Sequence, residues 1–304
     1  MNQKENQYLE YISTHVPGLS LDHVAFDFIN GEHSDMVLVD EKEVFKFSKF
    51  DWSAGYLNNA VKAIDLIRNY VDIPLPRVNS LEPGVAEMNF VKGEPLCRSD
   101  VLLLKGYEQV NLARQLGTFL SRMHGIPLKE AKACRMDQDD LEKMSTQYWE
   151  SEYREIQSKI FAYCDDYTKN YVRRVFESAL ADEEFFLYTP SVIHGNLTPR
   201  HMIYSKESNR VVSIAGFGTS RIGDPAYDTG MLLYGFGEAF VKRITQFDRS
   251  IPAQMERARF YACYQYISWA KELADRIITR DFTNFKINLA EPDVIPVAKL
   301  SDRG

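Results

Sequence analysis

Residues 191–228 read SVIHGNLTPRHMIYSKESNRVVSIAGFGTSRIGDPAYD, and this stretch decides the fold. Its apolar residues come in short runs divided by turn formers. The pattern predicts a loop, a short strand (Met202–Tyr204), a turn (Ser205–Arg210), a second strand (Val211–Ile214) and a glycine-rich loop closing on Gly-Asp-Pro-Ala-Tyr-Asp. Two long helical stretches, 139–181 and 253–278, flank this β-rich insert. Upstream, NLARQLGTFLSRMH (111–124) sets Leu112, Leu116, Phe119, Leu120 and Met123 on one helical stripe. Gly125 stands where a C-terminal cap is expected, and Pro127 follows.

The amino-terminal third has a different rhythm. A helix is predicted from Gln7 to Val16, stopped by Pro17-Gly18. Three short strands joined by hairpin turns follow, at His23–Asn30, from Met36, and at Val44–Lys49, where Phe45 and Phe47 oppose Lys46. A helix over Ala54–Tyr70 is ended by the prolines of IPLPRV, and two more strands lie near 77–81 and 85–91. Residues 1–92 thus read as a five-stranded sheet with a helix. Lys92–Pro95 is a connector, and 93–304 is a larger helical part.

Composition narrows the function. With 304 residues, 45% hydrophobic and 26% charged, the chain falls in the ordinary globular range. A net charge of −7 lacks the basic footprint of a nucleic-acid binder. No window is long and apolar enough to span a bilayer, and MNQKENQYLEYISTH has no apolar signal core, so a cytoplasmic protein is expected. The cysteines at 97, 134, 164 and 263 have no C-x-x-C spacing, which argues against zinc or redox pairs and for reduced thiols.

With these residues in view, the chain resembles the aminoglycoside phosphotransferase and choline kinase-like family, relatives of the protein kinases. The resemblance runs from VFKF (44–47) through MNFVKGEPL (88–96) and the 112–127 helix to HGN, GFG and GDPAYD. It implies an α+β, bilobal protein-kinase-like fold, with a small antiparallel-sheet lobe (1–92), a larger helical lobe (93–304) and a cleft between them. Phosphoryl transfer depends on positioning and charge neutralisation. Magnesium wants oxygen ligands, chiefly carboxylates, and a further carboxylate orients the attacking hydroxyl. The family supplies these as H-G-D-x-x-x-x-N followed by I-D-F-G.

This sequence departs at each of those positions. Asn196 replaces the nucleophile-handling Asp, His201 the metal-binding Asn and Gly216 the metal-binding Asp, while Thr219 stands where relatives often carry another acid. Asn196 has no charge and cannot act as a base near neutral pH. Imidazole is a poor partner for magnesium, and Gly216 offers no side chain. Lys46 matches the lysine that touches nucleotide phosphates, but its usual helix Glu is Ala60. The loop from Gly31 through Ser34 has a single glycine, and Glu32 there would repel phosphate. The resemblance puts nucleotide contacts at Lys46, Ser34, Met88, Asn89 and Val91.

Other groups remain as candidates. His194 shapes the loop, and Asp224 and Asp228 are expected to bond backbone amides around it. Glu238 is a candidate substrate-side carboxylate, with Tyr234 and Phe236 flanking a pocket. The helix bearing Trp149, Glu150, Glu152 and Glu155 reads as a solvated face or as the lining of a cation-binding cleft. The expectation is a family member that has lost ordinary Mg-ATP phosphoryl transfer and uses its cleft for a small molecule, a nucleotide or a partner, or for other chemistry. ATP or another nucleotide is the cofactor the resemblance suggests, with magnesium disfavoured. The alternatives are an active kinase with metal ligands recruited from Asp224, Asp228 or Glu238, and a non-catalytic scaffold. Restoring acids at 196 and 216 is expected to recover metal-linked nucleotide binding.

Overall fold

The computed structural model describes residues 2–29, 31, 33–136, 139–278, 287 and 289, without the side chains of 139 and 275–278. The chain forms two compact units. One comprises Met1–Leu96, Ile126–Met136 and Arg200–Ser220; the other comprises Cys97–Gly125, Asp137–Pro199 and Arg221–Gly304.

The first unit opens with α1 (Gln3–His15), which Asn2 and Glu5 cap reciprocally in a capping box. Strands β1 (Val24–Asp27), β2 (Ser34–Val39), β3 (Glu43–Ser48), β4 (Val78–Glu82) and β5 (Val85–Asn89) form an antiparallel sheet in the order β1-β2-β3-β5-β4. Period-two alternation sends Val37, Val39, Phe45, Phe47 and Val85 to one face, where Ile12 of α1 completes the core. The Tyr8 ring stacks on Phe47 at 4.0 Å, and its hydroxyl donates to the buried Asp35 at 2.7 Å. Helix α2 (Ala54–Ile67) buries Leu57, Ala63, Ile64, Leu66 and Ile67. It stops three residues short of the expected Tyr70.

The connector is itself partly structured. β6 (Glu94–Pro95) pairs with β8 (Met202–Ser205), which forms a hairpin with β9 (Arg210–Ile214). This hairpin, the heart of the motif-bearing stretch, packs within the first unit, as does α5 (Leu128–Ala133).

Helices dominate the second unit. They are α3 (Arg98–Leu103), α4 (Gly106–His124), α6 (Thr146–Ile160), α7 (Asp166–Leu180), α8 (Pro225–Phe236), α9 (Glu238–Ile244) and α10 (Ile251–Ile278), with a two-strand ladder of β7 (Ser191–Ile193) and β10 (Arg221–Gly223). Helix α10 lies tightly along α8 because Gly230 has no side chain: a Cβ there would stand 2.9 Å from the Ala258 carbonyl oxygen. Trp149 fills the centre, stacked on Phe186 at 5.0 Å and edge-on to Phe260 at 4.9 Å.

Several expectations need correcting. The 139–181 stretch is not one helical run: a 3₁₀ turn (Asp139–Met144), α6, a second 3₁₀ turn (Phe161–Tyr163) and α7 divide it. The chain breaks at Cys164-Asp165 because the Asp165 side chain accepts the Thr168 N–H at 2.7 Å and starts a new helix. Gly125 does end α4, but with φ −81°, so its conformational freedom is not used. The surface tail expected after Phe285 falls outside the described residues except for 287 and 289. Among the described residues no helix is long and apolar enough to cross a membrane.

Candidate functional site

In the second unit the HGN loop is held from α8. Pro225 opens that helix, where its missing N–H costs nothing, and Asp224 caps it by accepting the Ala226 N–H at 2.9 Å. One turn on, Asp228 is fully buried and accepts from the backbone N–H groups of His194 (2.8 Å) and Gly195 (2.9 Å). His124 Nε2 lies 3.1 Å from the same carboxylate. Burial opposes the Asp228 charge, but the His124 contact, the His194 charge and the His194 N–H together outweigh it, so its pKa lies below the usual value. Both acids bond backbone amides, but only Asp228 ties the HGN loop, while Asp224 caps its own helix. Asp224 is also bonded to Arg257 Nε at 2.8 Å and the Tyr261 hydroxyl at 3.2 Å.

Gly195 takes a left-handed conformation, φ +79°, which turns the chain so that the Asn196 N–H faces His194 Nδ1 at 3.2 Å. His194 is thereby a buried loop-shaping residue. Asn196 is half-buried.

In the first unit, the β8–β9 hairpin brings His201 and Gly216 together. The Ala215 N–H donates to the His201 carbonyl at 2.8 Å. Gly216 follows at φ +85°, a conformation that side chains other than glycine's rarely adopt. A Cβ on Gly216 would lie 2.6 Å from Cδ2, 2.7 Å from Cγ and 2.8 Å from Nε2 of His201. The imidazole crowds the space that any side chain at 216 would enter. A side chain at 216 would have to take a positive φ and displace the His201 ring.

The α2 contact with this loop was missed in the sequence. Ala60 contributes no carboxylate, but Asn59 Nδ2 donates to the carbonyls of Gly218 (3.0 Å) and Ser220 (2.7 Å), gripping the turn that contains Thr219. An Asn beside the expected Glu position was the available signal.

Register sorts the nucleotide candidates. Lys46 pairs with Met36 and Ala86, Val44 with Met88, and Ser34 with Ser48, so Ser34, Lys46 and Met88 share one sheet face, opposite the α1 core. Asn89 lies on the other face, its side chain accepting the Arg77 N–H at 2.6 Å, and Val91 lies beyond the end of β5. Lys46 is half-buried, and burial lowers its pKa. Among the described residues no carboxylate pairs with it. The loop before β2 is pinned by Lys49, whose Nζ donates to the carbonyls of Phe28 (2.8 Å) and Gly31 (2.5 Å). Glu32 lies outside the described residues.

The remaining acids are paired. Glu238 is buried against Arg259 Nη2 at 2.5 Å. Glu152 is buried too, bonded to Lys271 at 2.6 Å and the Tyr264 hydroxyl at 2.8 Å, and Trp149 is core, whereas Glu150 and Glu155 on the same helix are exposed and give it a solvated acidic face. Phe236 is buried against Phe240, and Tyr234 packs on Tyr266 at 4.7 Å. Cys164 and Cys263 are buried thiols, Cys134 is half-buried and Cys97 is exposed.

Among the described residues no three His, Cys, Asp or Glu side chains are placed to share a metal ion.

An antiparallel-sheet region followed by a helical region, with a Gly-rich loop after a short hairpin, defines a protein-kinase-like α+β fold. The chain belongs to the phosphotransferase enzyme family, whose sequence profile matches residues 27–261. No match is found among curated protein sequences. Solved structures with this fold include the GDP and kanamycin complex of APH(2")-IIia, at 22% identity and TM-score 0.76, covering 91% of this chain and 99% of that one. The GDP complex of wild-type aminoglycoside 2'-phosphotransferase-IIIa aligns at 22% identity and TM-score 0.79, with coverages of 92% and 94%. Macrolide 2'-phosphotransferase type I aligns at 14% identity and TM-score 0.73, with coverages of 95% and 99%.

Proposed function

We propose that this chain is a small-molecule-binding member of the phosphotransferase family that does not carry out ordinary magnesium-dependent phosphoryl transfer. The observation that carries the reading is the His201 ring lying 2.6–2.8 Å from where a Cβ on the left-handed Gly216 would be. Where the family places a metal-binding carboxylate there is no acid, and one could enter only by displacing that ring. Asn196 adds to this, since an amide cannot take the proton of an attacking hydroxyl. Phosphoryl transfer draws most of its rate from electrostatic stabilisation, so losing these groups removes several orders of magnitude.

Recruitment of other acids to a metal draws no support from the geometry. Asp224, Asp228 and Glu238 are each buried and already bonded to Arg257, to His124 and loop N–H groups, and to Arg259. The face bearing Ser34, Lys46 and Met88 remains open to a nucleotide held without metal, by analogy with relatives whose names record GDP and ATP complexes. The test is calorimetric titration with ATP and GTP, with and without magnesium, beside phosphate release on aminoglycosides and macrolides. The expected result is metal-independent binding or none, without turnover. Turnover at ordinary kinase rates, about 1–100 per second, overturns the reading.

A further inference from the structure

The second unit holds a cavity of about 160 Å³ among the Asp139–Met144 turn, α6, α8 and α10. Five tyrosines and Trp149 contribute to its wall. Four of the hydroxyls are already engaged: Tyr188 donates to the Asp140 carbonyl at 2.7 Å, Tyr261 to Asp224 at 3.2 Å, Tyr264 to Glu152 at 2.8 Å and Tyr227 to Gln265 Oε1 at 3.4 Å. Burial raises the pKa of all four, so they remain protonated donors. Among the described residues the Tyr148 hydroxyl has no hydrogen-bond partner, and burial followed by the charge of Glu152 pushes it up to about 12.

Charge decides what such a wall admits. Each acid in or beside it has its own cation. Asp140 pairs with both Arg221 and Lys143, Asp224 with Arg257 at 2.8 Å, and Glu152 with Lys271 at 2.6 Å. A polycation entering here would meet no uncompensated carboxylate, and for an anion the one cation in excess of the acids, Lys143, is already bonded to Asp140. Both would lose hydration without replacement. Size decides the rest. A cavity of about 150 Å³ accommodates one six-membered ring, so a multi-ring antibiotic does not fit. Tyrosine faces with polar tips suit a ring that is apolar on its faces and hydroxylated at its rim.

We propose that this cavity binds a single uncharged, hydroxylated ring, of the size of a monosaccharide or cyclitol. This names the ligand class of the small-molecule reading above and rests on it. Calorimetry on the full chain would compare methyl α-glucoside and myo-inositol with glucosamine, glucose 6-phosphate and kanamycin. The neutral rings are expected to saturate at millimolar concentration or below, with charged counterparts weaker by about tenfold or more. Ser268→Phe, which fills the cavity from α10, should abolish the binding. Tyr148→Phe removes one hydroxyl and should weaken it several-fold, with melting checked for both variants. Tighter binding of glucosamine or kanamycin, no saturation by either neutral ring, or neutral-ring binding indifferent to both variants would overturn the proposal. Phosphate release with a neutral ring and Mg·ATP would instead sink the non-transferase reading while leaving the ligand class intact.

Discussion

The His201 imidazole and Gly216 are complementary: the ring atoms Cδ2, Cγ and Nε2 lie 2.6–2.8 Å from where a Cβ on Gly216 would be. His201 and Gly216 thus form one packing arrangement. Gly216→Asp alone should destabilise the chain. A left-handed backbone costs a non-glycine residue about 1–2 kcal/mol, and displacing the imidazole adds to that. His201→Asn should relieve the second part. Thermal melts with and without Mn²⁺ check this, and only the Asn196→Asp, His201→Asn, Gly216→Asp combination should show a Mn²⁺-dependent rise. A similar rise in the Asn196→Asp, Gly216→Asp pair would contradict the arrangement.

Asp228 anchors the HGN loop. Asp228→Ala strands the His194 and Gly195 N–H groups and removes the His124 partner, and should cost about 3–5 kcal/mol. Its pKa is lowered in the folded protein. Its contribution is therefore complete above the ordinary carboxyl value of 3.8 and fades as pH falls through the lower folded value. The melting gap between the wild-type chain and Asp228→Asn should narrow as pH is taken below that range. A gap that widens on acidification would refute the assignment.

Lys46 carries a half-buried ammonium with no carboxylate beside it among the described residues, and its pKa is lowered by burial. At neutral pH that charge works against folding. Lys46→Met should therefore stabilise the chain by about 1 kcal/mol, a rise in Tm of roughly 4 °C. Any stabilisation by added nucleotide should disappear in the same variant.

Asn59 holds two loop carbonyls. Asn59→Ala should cost about 1–3 kcal/mol for the lost bonds. Amide exchange in 216–220 should rise more than in the sheet, and uniform acceleration across the first unit would point to global loosening instead.

Much of this was legible in the sequence, for local reasons. Phe45 and Phe47 bracketing Lys46 can only be a strand with two unlike faces, and β3 is that strand. A short carboxylate after Gly-Asp-Pro reads as a loop anchor, although the pattern did not say that Asp228 would hold the loop while Asp224 turned to Arg257. Long-range pairings were not readable. Glu152 looks like one charge on an acidic helix until Lys271, 119 residues away, covers it. His201 meets Gly216 through a hairpin and a positive φ, neither of which leaves a periodic trace.

Of the three tryptophans, Trp52 and Trp269 are 60% and 65% exposed, whereas Trp149 is 1% exposed and forms part of the tyrosine-lined wall. The molecule therefore carries its own optical reporter. Blue emission shielded from aqueous quenchers belongs to this one indole, and a guest entering beside it would announce itself spectrally without any label.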